Sequence, residues 1–219
     1  MVYRLLVAAY AVAVTFMSIL LHPADRLPWG VWLTNLSYFL LTCHLLCAAV
    51  IVLLNTCFER RQSMTLLTSG STSTPWYMQL SWFLFCVATA AAIIVSMVFF
   101  TGIFPRLHRD YLSVIDINLH VMNTVLVILE FTIAAYPVRL LHVVYVYCYG
   151  LAYVIFSVIY WAFNHSHVMY PGVLDWNNPG TTAVVLVVVA FVGLPLLQLI
   201  LFGIYQLRKY IYTRCVRLP

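Results

Sequence analysis

Charged side chains are scarce in this sequence. Asp, Glu, Lys and Arg make up only 8% of the 219 residues, whereas 64% of the residues are hydrophobic. A soluble globular domain carries about a quarter charged residues, so the composition predicts an integral membrane protein. The formal net charge of +5 does not indicate nucleic-acid binding, because the basic residues are spread over the loops between hydrophobic stretches.

Cys-x-x-Cys pairs and internal repeats are also absent. The six cysteines form no Cys-x-x-Cys pair, which argues against a structural zinc site of the usual kind. The two halves of the chain show none of the internal symmetry that marks many transporters. We therefore interpret residues 1–219 as a single domain.

Long hydrophobic runs are abundant instead. A membrane-spanning helix needs about 20 mostly apolar residues, and the continuous runs exclude a β-barrel, whose strands alternate over about ten residues. The first run is too long for a signal peptide and no small-x-small cleavage site follows it, so we retain it as a helix. The sequence predicts an all-α bundle of six transmembrane helices at about residues 5–21, 30–54, 79–104, 112–136, 138–163 and 181–207.

The distribution of Lys and Arg predicts the orientation of this bundle. With six spans, both termini lie on one side of the membrane, and that side carries most of the basic residues. The other side carries only Arg26, Arg106 and Arg109. The positive-inside rule then places both termini in the cytosol, and we expect a multi-pass protein of the endoplasmic reticulum or plasma membrane. The residues on the predicted cytosolic side are Arg4, Arg60, Arg61, Arg139, Arg208, Lys209, Arg214 and Arg217.

Polar residues form a stripe along the fourth predicted span. In a regular α-helix, with about 100° between residues, Asp116, His120, Asn123 and Glu130 fall within an arc of about 80°. Ionisable groups are costly in lipid, so this face is expected to point into the bundle or a wet cavity. We expect Glu130 to pair with a basic group such as Arg139.

A lone histidine, His44, lies in the middle of the second span. An intramembrane histidine is a functional candidate by default. No motif includes it, so we interpret it as a hydrogen-bonded interior residue.

Several chain segments are predicted to bring polar residues to one shallow layer on the outer side. His120 lies about 10 Å and Thr34 about 6 Å below the outer ends of their helices, at about 1.5 Å per residue. The end of the fifth span and the end of the first span add further groups, namely Asn164, His165, His167 and His22. We therefore predict a polar pocket that is open to the outer leaflet.

This pocket has the residue types for ester hydrolysis. A neutral imidazole can take a proton from a hydroxyl group and return it to a leaving group, and a threonine hydroxyl becomes a nucleophile when such a base is within reach. In this interpretation Asp116 orients His120, whereas Asn123 or Asn164 donates to the oxyanion. The alternative use of the same layer is a zinc site built from Asp116, His120, His165 and His167, although we expect no cofactor.

Two segments, NLHVMNTVLVILEF and VIFSVIYWAFNHSHVMYPGVLDWNNPGTT, carry a resemblance to known proteins. The first resembles the central span of the androgen-induced protein and androgen-dependent TFPI-regulating protein family. Both segments, and YPGVLDWNNPG above all, resemble the rolling stone protein family. The resemblance covers roughly residues 30–182, and it implies a multi-span membrane fold.

The resemblance also implies candidate catalytic residues. The androgen-induced family hydrolyses esters of fatty acids with hydroxy fatty acids through a threonine in an aromatic-Leu-Thr context and a histidine in an Asn-His-x-Met-x-Thr context. Thr34 and His120 match these positions. Asn118 stands one residue earlier than the family asparagine, with Leu119 between, and Asn123 replaces a second family histidine. The resemblance therefore implies a membrane hydrolase that acts on lipophilic esters and contacts membrane lipids. The alternative is a non-catalytic, rolling stone-like protein in myoblast fusion.

Overall fold

Six helices that are long and apolar enough to cross a membrane make up the computed structural model of this protein. The structure describes residues 1–23, 27–62, 75–107, 110–134, 136–163, 165 and 168–215, with the backbone alone for residues 57–62. The described part of the chain has no β-strand, and the predicted all-α fold with six spans is confirmed. The helices are α1 (Val2–Leu20), α2 (Leu33–Thr56), α3 (Trp76–Arg106), α4 (Val114–Ile133), α5 (Leu140–Phe163) and α6 (Pro179–Cys215).

The helix ends follow local sequence signals. Ser113 caps α4, because its hydroxyl accepts the backbone N–H of Asp116 while the Asp116 carboxylate accepts the N–H of Ser113, a reciprocal arrangement that satisfies two free donors. Asn178 caps α6 with a single bond, in which its side-chain oxygen accepts the N–H of Thr181. At its other end α6 continues to Cys215, beyond the predicted end near residue 207, because a helix can extend past the apolar layer into water.

Small residues let α1, α2 and α3 pack closely at the centre of the bundle. One buried cluster joins Ala8 and Ala11 of α1 to Ala88 and Ala92 of α3, with Leu41 and Leu45 of α2 among its members. Small side chains allow helix backbones to approach each other in membranes, where apolar contacts alone give little preference for protein over lipid. Helices α5 and α6 are mostly exposed, so their aliphatic faces meet lipid.

Three of the helices contain a π-helical turn, which is wider than an α-helical turn. These turns span Phe99–Ile103 in α3, Ile117–Met122 in α4 and Val189–Gly193 in α6. Such turns shift the side chains that follow them and occur frequently at functional sites. Asp116 falls on the same face as His120, Asn123 and Glu130 only in a regular α-helix, so the wider turn at Ile117–Met122 changes its angular relation to the residues after it.

The bundle has two ends, each marked by contacts between different helices. We call the end where α1 begins and α6 finishes the terminal end, and the opposite one the distal end. Contacts confirm this arrangement: Arg4 at the start of α1 pairs with Glu130 near the end of α4, and Thr34 at the start of α2 meets Tyr170 of the α5–α6 loop.

Candidate functional site

Thr34 lies in the first turn of α2, at the distal end. The first N–H groups of a helix have no partner inside the helix, and here two tyrosine hydroxyls accept them. The N–H of Leu33 donates to the hydroxyl of Tyr153 (3.2 Å), and the N–H of Thr34 donates to the hydroxyl of Tyr170 (3.4 Å). Thr34 itself is buried, with 9% of its surface exposed. The predicted nucleophile therefore lies at a helix N-terminus that two tyrosines cap from other parts of the chain.

The α5–α6 loop holds Tyr170 in place. Its turn closes with the backbone N–H of Leu174 donating to the carbonyl of Tyr170 (2.8 Å). Gly172 takes a positive φ of 73°, a conformation that glycine adopts at little cost. The indole of Trp176 donates to Ser157 of α5 (3.0 Å). Because Tyr170 is thus buried, desolvation raises the pKa of its hydroxyl above the ordinary tyrosine value.

A large apolar cavity of about 520 Å³ opens beside Thr34. Its walls come from α3, α5, α6 and the α5–α6 loop, and they run from Ile103 and Tyr170 at the distal end to Val144 and Leu194 towards the terminal end. Ligand cavities in proteins have about 300–1,000 Å³ and are mostly apolar. The shape and lining suit a hydrocarbon chain.

His120 lies in the π-helical turn of α4 and is 5% exposed. Its ring stacks on Phe99 with 3.6 Å between ring centroids and 8° between planes. Its carbonyl accepts the hydroxyl of Ser96 (2.8 Å), whereas its ring atom Nδ1 is buried without a hydrogen-bond partner. Asn123, one turn later, is fully buried, and neither its amide nitrogen nor its amide oxygen has a partner. Buried polar groups in proteins are nearly always satisfied, so this pair marks a place for a ligand or water.

Asp116 does not hold the His120 ring through Nδ1, because that ring atom has no hydrogen-bond partner. The Asp116 carboxylate instead accepts the N–H (2.9 Å) and the hydroxyl (2.7 Å) of Ser113. The local capping signal thus explains the position of Asp116.

No hydrogen bond joins Thr34 to His120 in the part of the chain that the structure describes. Thr34 lines the cavity, whereas His120 packs against Phe99 and Ser96 of α3, next to the cavity-lining residues Val95 and Val98. The turn of α3 at residues 95–99 therefore contacts His120 on one side and lines the cavity on the other.

The other predicted site residues lie apart from this layer or outside the described residues. His165 is exposed at the end of α5 and packs edge-on against Trp161 with 4.6 Å between ring centroids. Asn164 and His167 lie outside the described residues. Among the described residues, no group of three or more His, Cys, Asp or Glu side chains could hold a metal ion.

A second polar cluster lies inside the bundle at the terminal end. Glu130 is fully buried and forms an ion pair with Arg4 of α1. Its Oε1 also lies 3.3 Å from Nε2 of His44, whose Nδ1 contacts the carbonyl of Ser81 (3.0 Å). The interpretation of His44 as a hydrogen-bonded interior residue is confirmed.

The expected partner of Glu130 was wrong. Arg139 is exposed and instead lies over the Trp82 ring, 5.9 Å from its centroid. Pairing with Arg4 joins residues 126 positions apart, and no local pattern in the sequence could reveal it.

These features define the class of protein: a multi-pass, all-α membrane protein with buried intramembrane polar groups and a lipid-sized cavity. The family model for the protein rolling stone family matches residues 1–218, so the chain belongs to this family, and the resemblance seen in the sequence is confirmed.

A curated relative agrees with this assignment. The chain is 28% identical to protein rolling stone of Drosophila melanogaster over 223 residues, which cover 95% of this chain and 78% of the relative. No solved structure matches the chain.

Proposed function

We propose that this protein is a membrane hydrolase that cleaves lipophilic esters, such as fatty acid esters of hydroxy fatty acids, with Thr34 as nucleophile and His120 as the proton-transfer group. The observation that carries the proposal is the position of Thr34. Its side chain stands on the wall of an apolar cavity large enough for an acyl chain, at a helix N-terminus, where negative charge is stabilised.

The reaction needs two half-steps. The Thr34 hydroxyl attacks the ester carbonyl carbon, its proton passes to the His120 ring, and the carbonyl electron pair moves onto oxygen. When the intermediate collapses, the alcohol leaves with the proton from His120, and the acyl group stays on Thr34. Water then repeats the sequence on the acyl-enzyme, so that one ester and one water give one acid and one alcohol.

The unpartnered groups of α4 support the role of His120. Its Nδ1 atom has no hydrogen-bond partner and is therefore available to a hydroxyl group or a water molecule. The amide of Asn123 is unpartnered as well and can donate to a substrate or a water. For the reaction to run, the His120 ring must come within about 2.6–3.2 Å of Thr34, or reach it through one water molecule, and catalytic contacts are often longer before substrate binds.

The experiment compares purified wild-type protein with Thr34→Ala, Thr34→Ser and His120→Ala on a long-chain ester. We expect Thr34→Ala and His120→Ala each to lower kcat by about a thousandfold or more, and Thr34→Ser to keep part of the activity through its hydroxyl. Thr132→Ala is the matched control, because Thr132 is exposed and its hydroxyl bonds only to Leu129 of its own helix. Equal background rates for wild type and Thr34→Ala would refute the proposal and agree with a non-catalytic role in cell fusion.

A further inference from the structure

Hydroxyl groups gather at the distal end of the apolar cavity. Thr34 and Tyr170 line it there, and the Tyr153 hydroxyl reaches the same turn of α2. Tyr149, one turn before Tyr153 in α5, also lines the cavity, whereas aliphatic side chains form most of the remaining wall. None of the described lining residues is Asp, Glu, Lys, Arg or His. The cavity therefore has one polar, uncharged end.

The hydroxyl groups of these tyrosines differ in their hydrogen-bond partners. The Tyr153 hydroxyl accepts the N–H of Leu33 (3.2 Å) and donates to the carbonyl of Val31 (2.9 Å), so both its functions are satisfied. The Tyr149 hydroxyl is buried without a partner. The Tyr170 hydroxyl accepts the N–H of Thr34, and it also hydrogen-bonds with the side chains of Thr34 and Tyr153.

The Tyr149 hydroxyl thus has a proton with no acceptor, whereas the Tyr170 hydroxyl has the oxygens of Thr34 and Tyr153 beside it. Both side chains lie on the cavity wall, Tyr170 beside the Thr34 turn and Tyr149 in α5. A buried hydroxyl without an acceptor is unfavourable, and a ligand oxygen within reach of Tyr149 would satisfy it. Because burial raises the pKa of Tyr170, its hydroxyl keeps the proton that such a bond requires at neutral pH.

We infer that the distal end of the cavity binds the carbonyl oxygen of one uncharged acyl chain, with the hydroxyls of Tyr149 and Tyr170 as hydrogen-bond donors. The inference rests on the proposed function for the role of Thr34, and it adds the ligand class and the residues that recognise it. Long-chain esters, ketones and amides all have such an uncharged carbonyl oxygen.

Free fatty acids and phospholipid headgroups do not fit this site. A carboxylate or phosphate would have no cation on the described walls, and an unpaired ion is costly to desolvate. The nearby Arg106 guanidinium lies against Gly172 and donates to the carbonyl of Gly102, so it is already paired and does not line the cavity. The carboxylate that hydrolysis produces is disfavoured for the same reason, so the site holds the substrate better than its product.

The test measures binding directly, without hydrolysis. Purified protein in detergent is photolabelled with a diazirine-bearing long-chain methyl ketone, and with the free acid of the same length as the charged comparison. The variants are Tyr149→Phe and Tyr170→Phe. Tyr147→Phe is the matched control, because Tyr147 lines the same cavity but its hydroxyl donates to the carbonyl of Ala190 (2.6 Å).

We expect the ketone to bind at least tenfold more tightly than the acid, and each test variant to weaken ketone binding at least threefold, while the control binds like wild type. Thermal unfolding checks folding. Where Tyr170→Phe unfolds, Tyr149→Phe carries the test, because its hydroxyl has no partner to lose. Equal binding of ketone and acid, or test variants that bind like wild type, overturns the inference. If the ketone binds in this pattern but the protein has no esterase activity, the proposed function is rejected and the inferred binding site is retained.

Discussion

The buried ion pair between Arg4 and Glu130 leads to a quantitative prediction about stability. In Arg4→Met, the fully buried Glu130 carboxylate keeps only His44 as a polar partner. Removing one member of a buried pair costs about 3–5 kcal/mol. Because the Arg4 side chain is 15% exposed and His44 remains, we expect the lower part of this range, about 3 kcal/mol. This loss lowers the ratio of folded to unfolded protein about a hundredfold.

The assay is a denaturation titration of the purified protein in detergent micelles, followed by a spectroscopic signal of helix packing. Lys209→Met is the matched control, because it removes a positive charge from an exposed position of α6 at the same, terminal end of the bundle. A double variant, Arg4→Met with Glu130→Leu, removes both charges together. It should regain most of the lost stability, since an apolar pair in place of a buried ion pair is often neutral or stabilising.

Two results contradict this reasoning. One is an Arg4→Met protein whose free energy of unfolding lies within about 0.5 kcal/mol of the control, the range of ordinary surface substitutions. The other is a double variant whose loss of unfolding free energy equals the sum of the losses in Arg4→Met and in Glu130→Leu measured separately. Residues in direct contact are expected to show coupling, so the two losses should not add.

Two further predictions concern the α5–α6 loop. Gly172→Ala should destabilise the protein by about 1–2 kcal/mol, because its φ is positive and a Cβ would lie 2.9 Å from Nε of Arg106. Gly180→Ala, with open space around its Cβ position, serves as the control, and equal melting temperatures of the two variants would contradict the expectation. Thr182→Val should lower the free energy of unfolding by about 1–3 kcal/mol, because the buried hydroxyl both donates to the Asp175 carbonyl (2.7 Å) and accepts its N–H (2.9 Å). A chemical denaturation curve that superimposes on that of wild type would show that these two bonds contribute nothing net.

Hydropathy made the six spans predictable, because a bilayer imposes length and apolarity on every crossing helix. The burial of the polar stripe was predictable for His120, Asn123 and Glu130, which are all buried. Their cost in lipid leaves the bundle interior as the place for them. Asp116 is half-buried, and its carboxylate takes part in the cap with Ser113, a local signal that the helical spacing of the stripe does not include.

The parts of the site that sequence reasoning missed depend on distant residues. Tyr153 and Tyr170 cap the start of α2 from positions more than 100 residues away, and aromatic residues near helix ends are ordinarily interpreted as interface anchors. The apolar cavity likewise has no sequence signal, because aliphatic residues that face lipid and those that line a cavity look alike. The one available hint was the grouping of tyrosines in α5.

The π-helical turn of Ile117–Met122 bears on how relatives are compared with this chain. Such a turn accommodates one more residue than an α-helical turn of the same span, and Asn118, Leu119 and His120 all lie within it. A difference of one residue in length at this place would be absorbed within a single turn, so the helix on either side would keep its packing. A comparison with a relative that has an α-helical turn here must therefore place its gap inside Ile117–Met122, because a gap-free comparison would pair different faces of the helix.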